Sequence, residues 1–220
     1  MDAVYNPLRS NLVLNARRRG IAAEGGLYML AAQAVYASAL FRGCEAIREE
    51  IDLAYDTVLH QMENVVLIGM PSGKTTVGRL LAQRAGKEFV DTDAMVEQAA
   101  GMSIPAYFAA RGEDNFRERE REAVAAAASV GGRIIATGGG AVLREENLRA
   151  LRRSGRLIFL DRSPDKLAAT ADRPLSADQE ALRRRYAERY DLYCAAADLR
   201  VDGDGSPEEV AELIEKEWIR

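Results

Sequence analysis

The chain has 220 residues, 48% hydrophobic and 29% charged, with a formal net charge of −4. That composition suits one globular domain with an appendage and gives no global reason to bind nucleic acid or a membrane. Two cysteines cannot build a disulfide framework, no apolar run reaches the ~18–20 residues of a membrane helix, and Met1-Asp2 lacks the order of an export signal, so a cytoplasmic protein is expected.

Residues 1–43 form a first unit of mainly helical character. Asp2–Tyr5 reads as a strand end, Asn6-Pro7 as a turn, Leu12–Arg19 as a helix and Leu27–Phe41 as a second helix, apolar on most faces and therefore expected to be buried. Gly43 is the expected C-cap, and residues 44–62 form a linker whose Glu45–Gln61 stretch predicts a charged amphipathic helix. His60, the single histidine, falls in that linker, which argues against a histidine triad or metal site.

From residue 63 to 220 the pattern changes. Short apolar runs (Val65–Ile68, Glu88–Val90, Arg133–Ala136, Leu157–Leu160, Leu199–Val201) alternate with helical stretches at Lys74–Arg84, Glu118–Ser129, Glu145–Arg152, Ala177 to about Ala196, and after Ser206-Pro207. Continuous apolar strands separated by helices predict a parallel α/β sheet covered on both faces. Glu118–Glu122 alternates in charge, as a solvated helix face does. Cys194, among alanines, is expected near the core, and Asp161 at the end of its strand is expected to cap a helix.

Gly69-Met70-Pro71-Ser72-Gly73-Lys74-Thr75 follows the first of these strands and opens a helix, the setting of a phosphate-binding loop. Backbone N–H groups there can hold phosphates, Lys74 can neutralise β/γ oxygens and the Thr75 hydroxyl can ligate Mg²⁺. Only three residues separate Gly69 from Gly73, one fewer than the usual four. The shortened loop predicts one phosphate-facing N–H fewer and a Lys74 drawn toward the strand.

Further along stand Asp91-Thr92-Asp93, Phe116-Arg117-Glu118-Arg119-Glu120, Thr137-Gly138-Gly139-Gly140, Asp172-Arg173-Pro174-Leu175 and Arg189-Tyr190-Asp191-Leu192-Tyr193. Strand ends in such sheets gather ligands at one edge, and a glycine triplet admits a ligand close to the backbone. The ordered set, from about Glu63 to Trp218, resembles shikimate kinase. This resemblance implies a nucleoside-monophosphate-kinase-like P-loop fold with a five-stranded parallel sheet. It also implies transfer of the ATP γ-phosphate to the 3-hydroxyl of shikimate, on the route to chorismate and aromatic amino acids, with Mg²⁺ as cofactor.

By position, Gly69, Ser72, Gly73, Lys74, Thr75 and Thr76 would bind ATP, joined by Arg173 on a lid. Asp93, Arg117, Arg189 and Gly138–Gly140 would hold the acceptor, with Lys74, Asp93 and Arg173 as the catalytic set. Asp91, through water, and Thr75 would hold Mg²⁺, Glu120 would direct Arg117, and Ser206-Pro207 would border the adenine or simply start a helix. Two other readings remain open at this point: another small-molecule P-loop kinase, of gluconate or nucleotide type, and a catalytically weakened nucleotide- or shikimate-binding protein created by the short loop.

Tyr5-Asn6-Pro7-Leu8-Arg9, Gly25–Leu30 and Gln33-Ala34 are similar to the C-terminal end of shikimate dehydrogenase, over about Ala3–Gly43. That resemblance carries over one residue, Gln33, as a shikimate contact. Its dinucleotide loop and catalytic residues are not in the sequence, so no dehydrogenase activity is expected. The apolar second helix predicts self-association, docking on the kinase-like part, or contact with an upstream dehydrogenase portion.

Overall fold

A computed structural model describes residues 1–167 and 179–218. The Ser10 side chain accepts from the Val13 N–H at 3.3 Å and so caps α1 (Asn11–Arg18). Helix α2 (Leu27–Arg42) ends at Gly43, and α3 (Arg48–Met62) leads into the sheet. The strand end expected at Asp2–Tyr5 is absent: isolated backbone bonds from Asp2 N–H to Glu24 O and from Gly26 N–H to Val4 O do not extend into a ladder.

Helix α2 also departs from expectation. It buries Leu27, Ala31 and Ala39, while Leu40 and Phe41 are 80% and 90% exposed. The reason is geometric: α3 covers one side of it, through Tyr28, whose hydroxyl donates to Asp52 at 2.8 Å and whose ring meets Tyr55 edge-on.

The alternating part runs β1 (Asn64–Ile68), α4 (Lys74–Ala85), β2 (Glu88–Asp91), α5 (Thr92–Ala100), α6 (Ile104–Ala128), β3 (Arg133–Ala136), α7 (Glu145–Ser154), β4 (Gly155–Asp161), α8 (Gln179–Ala196), β5 (Leu199–Asp202) and α9 (Pro207–Trp218). Helix α5 was not anticipated, and the helix expected from Glu118 starts at Ile104, bent at Gly112. Among the described residues, five strands form one parallel sheet in the order β2-β3-β1-β4-β5.

Every residue of β1 is buried because it lies at the centre with helices on both sides. Val66, Ile68, Ile135, Leu157 and Phe159 face α6, α7 and α8, packing with Val124, Leu151 and Tyr193. Val65, Leu67, Ile134, Ile158 and Leu160 face α4 and α9, packing with Leu81, Val210 and Ile214. Alternate residues of each strand thus fill two cores. None of the helices among the described residues is long and apolar enough to cross a membrane.

The N-terminal segment docks at the sheet edge where strands begin. Arg9 N–H donates to Arg153 O at 2.9 Å, its guanidinium reaches Arg152 O and Gly155 O, and it pairs with the buried Glu63 beside β1. Lys87 secures the end of α3 by donating to His60 O at 2.6 Å, while the His60 ring stacks on Trp218 at 4.0 Å. The same packing and the proximity of Lys87 hold the His60 imidazole below its ordinary value, burial being the larger cause.

Candidate active site

The end of β1 turns sharply into α4. Gly69 and Gly73 take φ of 130° and 86°, a backbone region that disfavours any residue with a Cβ. Ile68 remains an ordinary buried strand residue, so the frame with Gly69 as first glycine is the one the chain adopts. Lys74 is buried, and its ammonium donates to Gly69 O at 2.8 Å and Met70 O at 2.6 Å. Ser72 is buried in the loop, Gly73 and Thr76 are exposed at the start of α4, and Thr75 is half-buried.

Beside the loop, Thr75 Oγ1 donates to Asp91 Oδ2 at 2.8 Å, while Asp91 Oδ1 accepts from the N–H groups of Asp93 and Ala94 and caps α5. This pair of hard oxygen donors next to a phosphate loop suits Mg²⁺, which needs few protein ligands and completes its shell with water and substrate phosphates. The described residues hold no cluster of three or more His, Cys, Asp or Glu side chains that could bind a metal ion.

The glycine triplet lies across from this pair. Gly138 N–H donates to Thr92 Oγ1 at 3.2 Å, and a Cβ on Gly138 would stand 2.4 Å from Asp93 Oδ1. A Cβ on Gly140 would stand 1.9 Å from an Arg117 terminal nitrogen. Arg189 donates to Gly139 O at 3.2 Å, and the Tyr193 hydroxyl donates to the same carbonyl at 2.6 Å. Two guanidiniums and a carboxylate therefore converge on one stretch of glycine, with Gly138 and Gly140 buried and Gly139 half-buried. The absence of Cβ atoms is what allows the approach.

Arg117 is clamped in place. Glu120, on the same face of α6, accepts at 3.0 Å and Glu113 at 2.9 Å. Burial acts against the charge on Arg117, yet Glu120 and Glu113 hold it above its ordinary value. Burial is also the main reason that the Glu120 carboxyl lies above the usual range, with Arg117 pulling the other way. The Tyr193 hydroxyl is likewise raised, chiefly by burial.

The expected site residues Gly69, Ser72–Thr76, Asp91, Asp93, Arg117, Gly138–Gly140 and Arg189 thus gather at one edge of the sheet. Arg173 lies outside the described residues. Sequence reading did not weigh Glu113 or give Tyr193 a role, although spacings of four, to Arg117 and from Arg189, put each on the face of its neighbour. Two expectations fail. Among the described residues Asp161 caps no helix; it accepts from Tyr186 at 2.6 Å and pairs with Arg200, tying β4 to α8 and β5. Cys194 is exposed, because α8 turns Tyr193 and Ala196 inward instead.

The family model described as shikimate kinase matches residues 70–218. A shikimate kinase of Symbiobacterium thermophilum is 48% identical over 165 residues, which cover 70% of this chain and 95% of that protein. One of Thermodesulfovibrio yellowstonii is 41% identical over 168 residues, covering 72% and 96%. Among solved structures, shikimate kinase from Acinetobacter baumannii in complex with shikimate superposes with a TM-score of 0.70 at 29% identity, over 74% of this chain and 97% of that one. Shikimate kinase from Aquifex aeolicus gives 0.63 at 32%, over 70% and 95%.

Proposed function

The chain belongs to the shikimate kinase family, and on that premise we propose that the glycine cradle is its acceptor site. The protein is a kinase that phosphorylates shikimate, with ATP as co-substrate and Mg²⁺ as the usual cofactor. The observation that carries the site assignment is the convergence of Asp93, Arg117 and Arg189 on Gly138–Gly140 beside the phosphate loop. A small carboxylate bearing several hydroxyls needs guanidinium forks and close backbone groups, and this cradle offers both.

In this reading Arg117 and Arg189 hold the acceptor's carboxylate and ring hydroxyls. Asp93 orients the 3-hydroxyl and accepts its proton as the oxygen attacks the γ-phosphorus and the bond to the β-phosphate oxygen breaks. Thr75 and, through water, Asp91 would hold Mg²⁺, which would neutralise phosphate charge. Lys74 leaves its two carbonyls for the phosphates. Phosphoryl transfer needs placement and charge neutralisation more than a strong base.

Lys74's engagement with Gly69 O and Met70 O favours a second reading in which nucleotide binding is weakened by the short loop. One experiment addresses both readings: ADP release with shikimate, gluconate and nucleoside monophosphates, for the chain as it is and with glycine inserted between Pro71 and Ser72. Release with shikimate alone among these acceptors, at similar rates in both proteins, is the expected result. A large gain on insertion would favour the weakened-loop reading; release with gluconate or nucleotides instead would overturn the acceptor assignment.

Residues 1–43 are best read as a remnant of the C-terminal end of a shikimate dehydrogenase, with residues 44–62 as linker and 63–220 as the kinase. The family match begins at Met70, so this reading rests on the short sequence motifs alone. Gln33 is exposed on α2, beside the uncovered apolar residues through which self-association or an upstream dehydrogenase portion would act. A cytoplasmic location agrees with two free cysteines.

A further inference from the structure

We propose that Arg162 is a nucleotide-phosphate ligand, a guanidinium that the end of β4 adds to the shortened loop. The inference rests on the reading of Gly69–Thr75 as a phosphate loop. Strands β1 and β4 are paired in register, Ile68 opposite Phe159, so Arg162 emerges at the edge where the loop begins. A Cβ on Gly73 would lie 3.6 Å from an Arg162 terminal nitrogen, which sets the guanidinium against the first turn of α4.

Its surroundings are electrostatically odd for a structural arginine. The N-terminus of α4 is the positive end of the helix dipole, and Lys74 adds a full charge there, so a third cation is unfavourable unless an anion sits among them. Two buried polar atoms at this place, Arg162 Nε and Ser72 Oγ, have no hydrogen-bond partner among the described residues. Buried donors are normally satisfied, and an exception calls for a ligand or water. Asp204 feels the Arg162 charge, yet it accepts from Ser163 N–H at 2.8 Å and pairs with Lys166 at 3.3 Å instead.

The chemistry of the missing partner follows. A planar fork of donors beside a helix N-terminus matches phosphate oxygens. A loop one residue short offers fewer backbone N–H groups, and a side chain from the neighbouring strand supplies the lost donors. The ligand class is a nucleoside di- or triphosphate, held by its phosphate chain and not by its base.

The test uses the full chain, Arg162→Gln and Arg162→Lys, with binding of ADP and of adenosine, KM for ATP and for shikimate, and the thermal unfolding midpoint. Loss of a charge-assisted pair predicts that Arg162→Gln weakens ADP and raises the ATP KM by about tenfold or more. Adenosine affinity and the shikimate KM should change less than about twofold, and Arg162→Lys should recover part of the ADP loss. ADP affinity in Arg162→Gln equal to that of the parent overturns the proposal, as does an equal loss for ADP and adenosine, which would put Arg162 on the base. Should Arg162→Gln unfold, Arg162→Lys decides alone: weaker ADP with unchanged adenosine supports the phosphate contact, and unchanged ADP rejects it. Failure of the acceptor reading looks different, since the unaltered chain would then show no shikimate-dependent ADP release while the ADP comparison stood.

Discussion

Glu120 and Arg117 form a buried pair whose worth depends on pH. Because burial raises the Glu120 carboxyl, the folded chain holds that proton more tightly than the unfolded chain does. The associated stability is complete below the ordinary glutamate range and is lost as pH rises through the raised value. The pairing with Arg117 runs the other way: it requires the carboxylate and fails as pH falls through that same raised value. The shikimate KM should therefore climb on the acid side, starting at a higher pH than an unperturbed glutamate would dictate, and this limb should vanish in Glu120→Gln. A profile of shikimate KM against pH that is identical in both proteins would contradict the pairing. Arg117→Ala should raise the shikimate KM by about tenfold or more and the ATP KM far less; the reverse order counts against the acceptor site. Gly140→Ala should act similarly, since its new Cβ would displace the Arg117 guanidinium, with the thermal midpoint changing less than activity.

At the level of elements, the fold hangs on how helices are pinned to the two ends of the sheet. Arg9 joins the segment before α1 to Glu63, a carboxylate that is 1% exposed and that also has Arg156 within 3.5 Å. Removing one partner of a buried pair leaves charge uncompensated, so Arg9→Ala should lower stability by about 1–3 kcal/mol, read by denaturant unfolding, with little change in shikimate turnover. The residual Arg156 contact keeps the expected loss below that of a fully orphaned charge. Equal losses of turnover and stability would mean that this docking also shapes the opposite edge of the sheet. These pins were not readable in advance: Arg9 and Glu63 are 54 positions apart, and neither carries a local signature. The strands were readable, because the middles of β1, β3 and β4 are buried on both faces and carry uninterrupted apolar runs, Val65–Ile68, Ile134–Ala136 and Leu157–Leu160. Helix α5 was missed because it follows β2 without an intervening loop, with Asp91 acting as both the strand's last residue and the helix cap.

For the molecule as a whole, the N-terminal segment sits at the edge of the sheet away from the candidate active site and leaves Tyr36, Leu40 and Phe41 uncovered. Deleting residues 1–44 should reduce thermal stability, because Arg9's bonds to Arg152, Arg153 and Gly155 go with it, and should leave the shikimate and ATP KM values near those of the full chain. Scanning calorimetry and steady-state kinetics check this. If sedimentation also showed loss of a dimer, the uncovered face of α2 would be its interface.

The sequence by itself determined the parallel sheet, the phosphate loop with its missing residue, and the family, because these are written in short-range spacing: apolar runs, glycine positions and ordered motifs. Only the tertiary structure decided that Lys74 turns back onto Gly69 and Met70, that Glu113 holds Arg117 and Tyr193 bonds the Gly139 carbonyl, that Asp161 pairs with Arg200, and that Arg162 stands against Gly73. Each of those depends on which strands lie side by side and on which face of a helix is turned inward. Distance across the sheet is set by packing, and packing is a property of the whole chain rather than of any stretch of it.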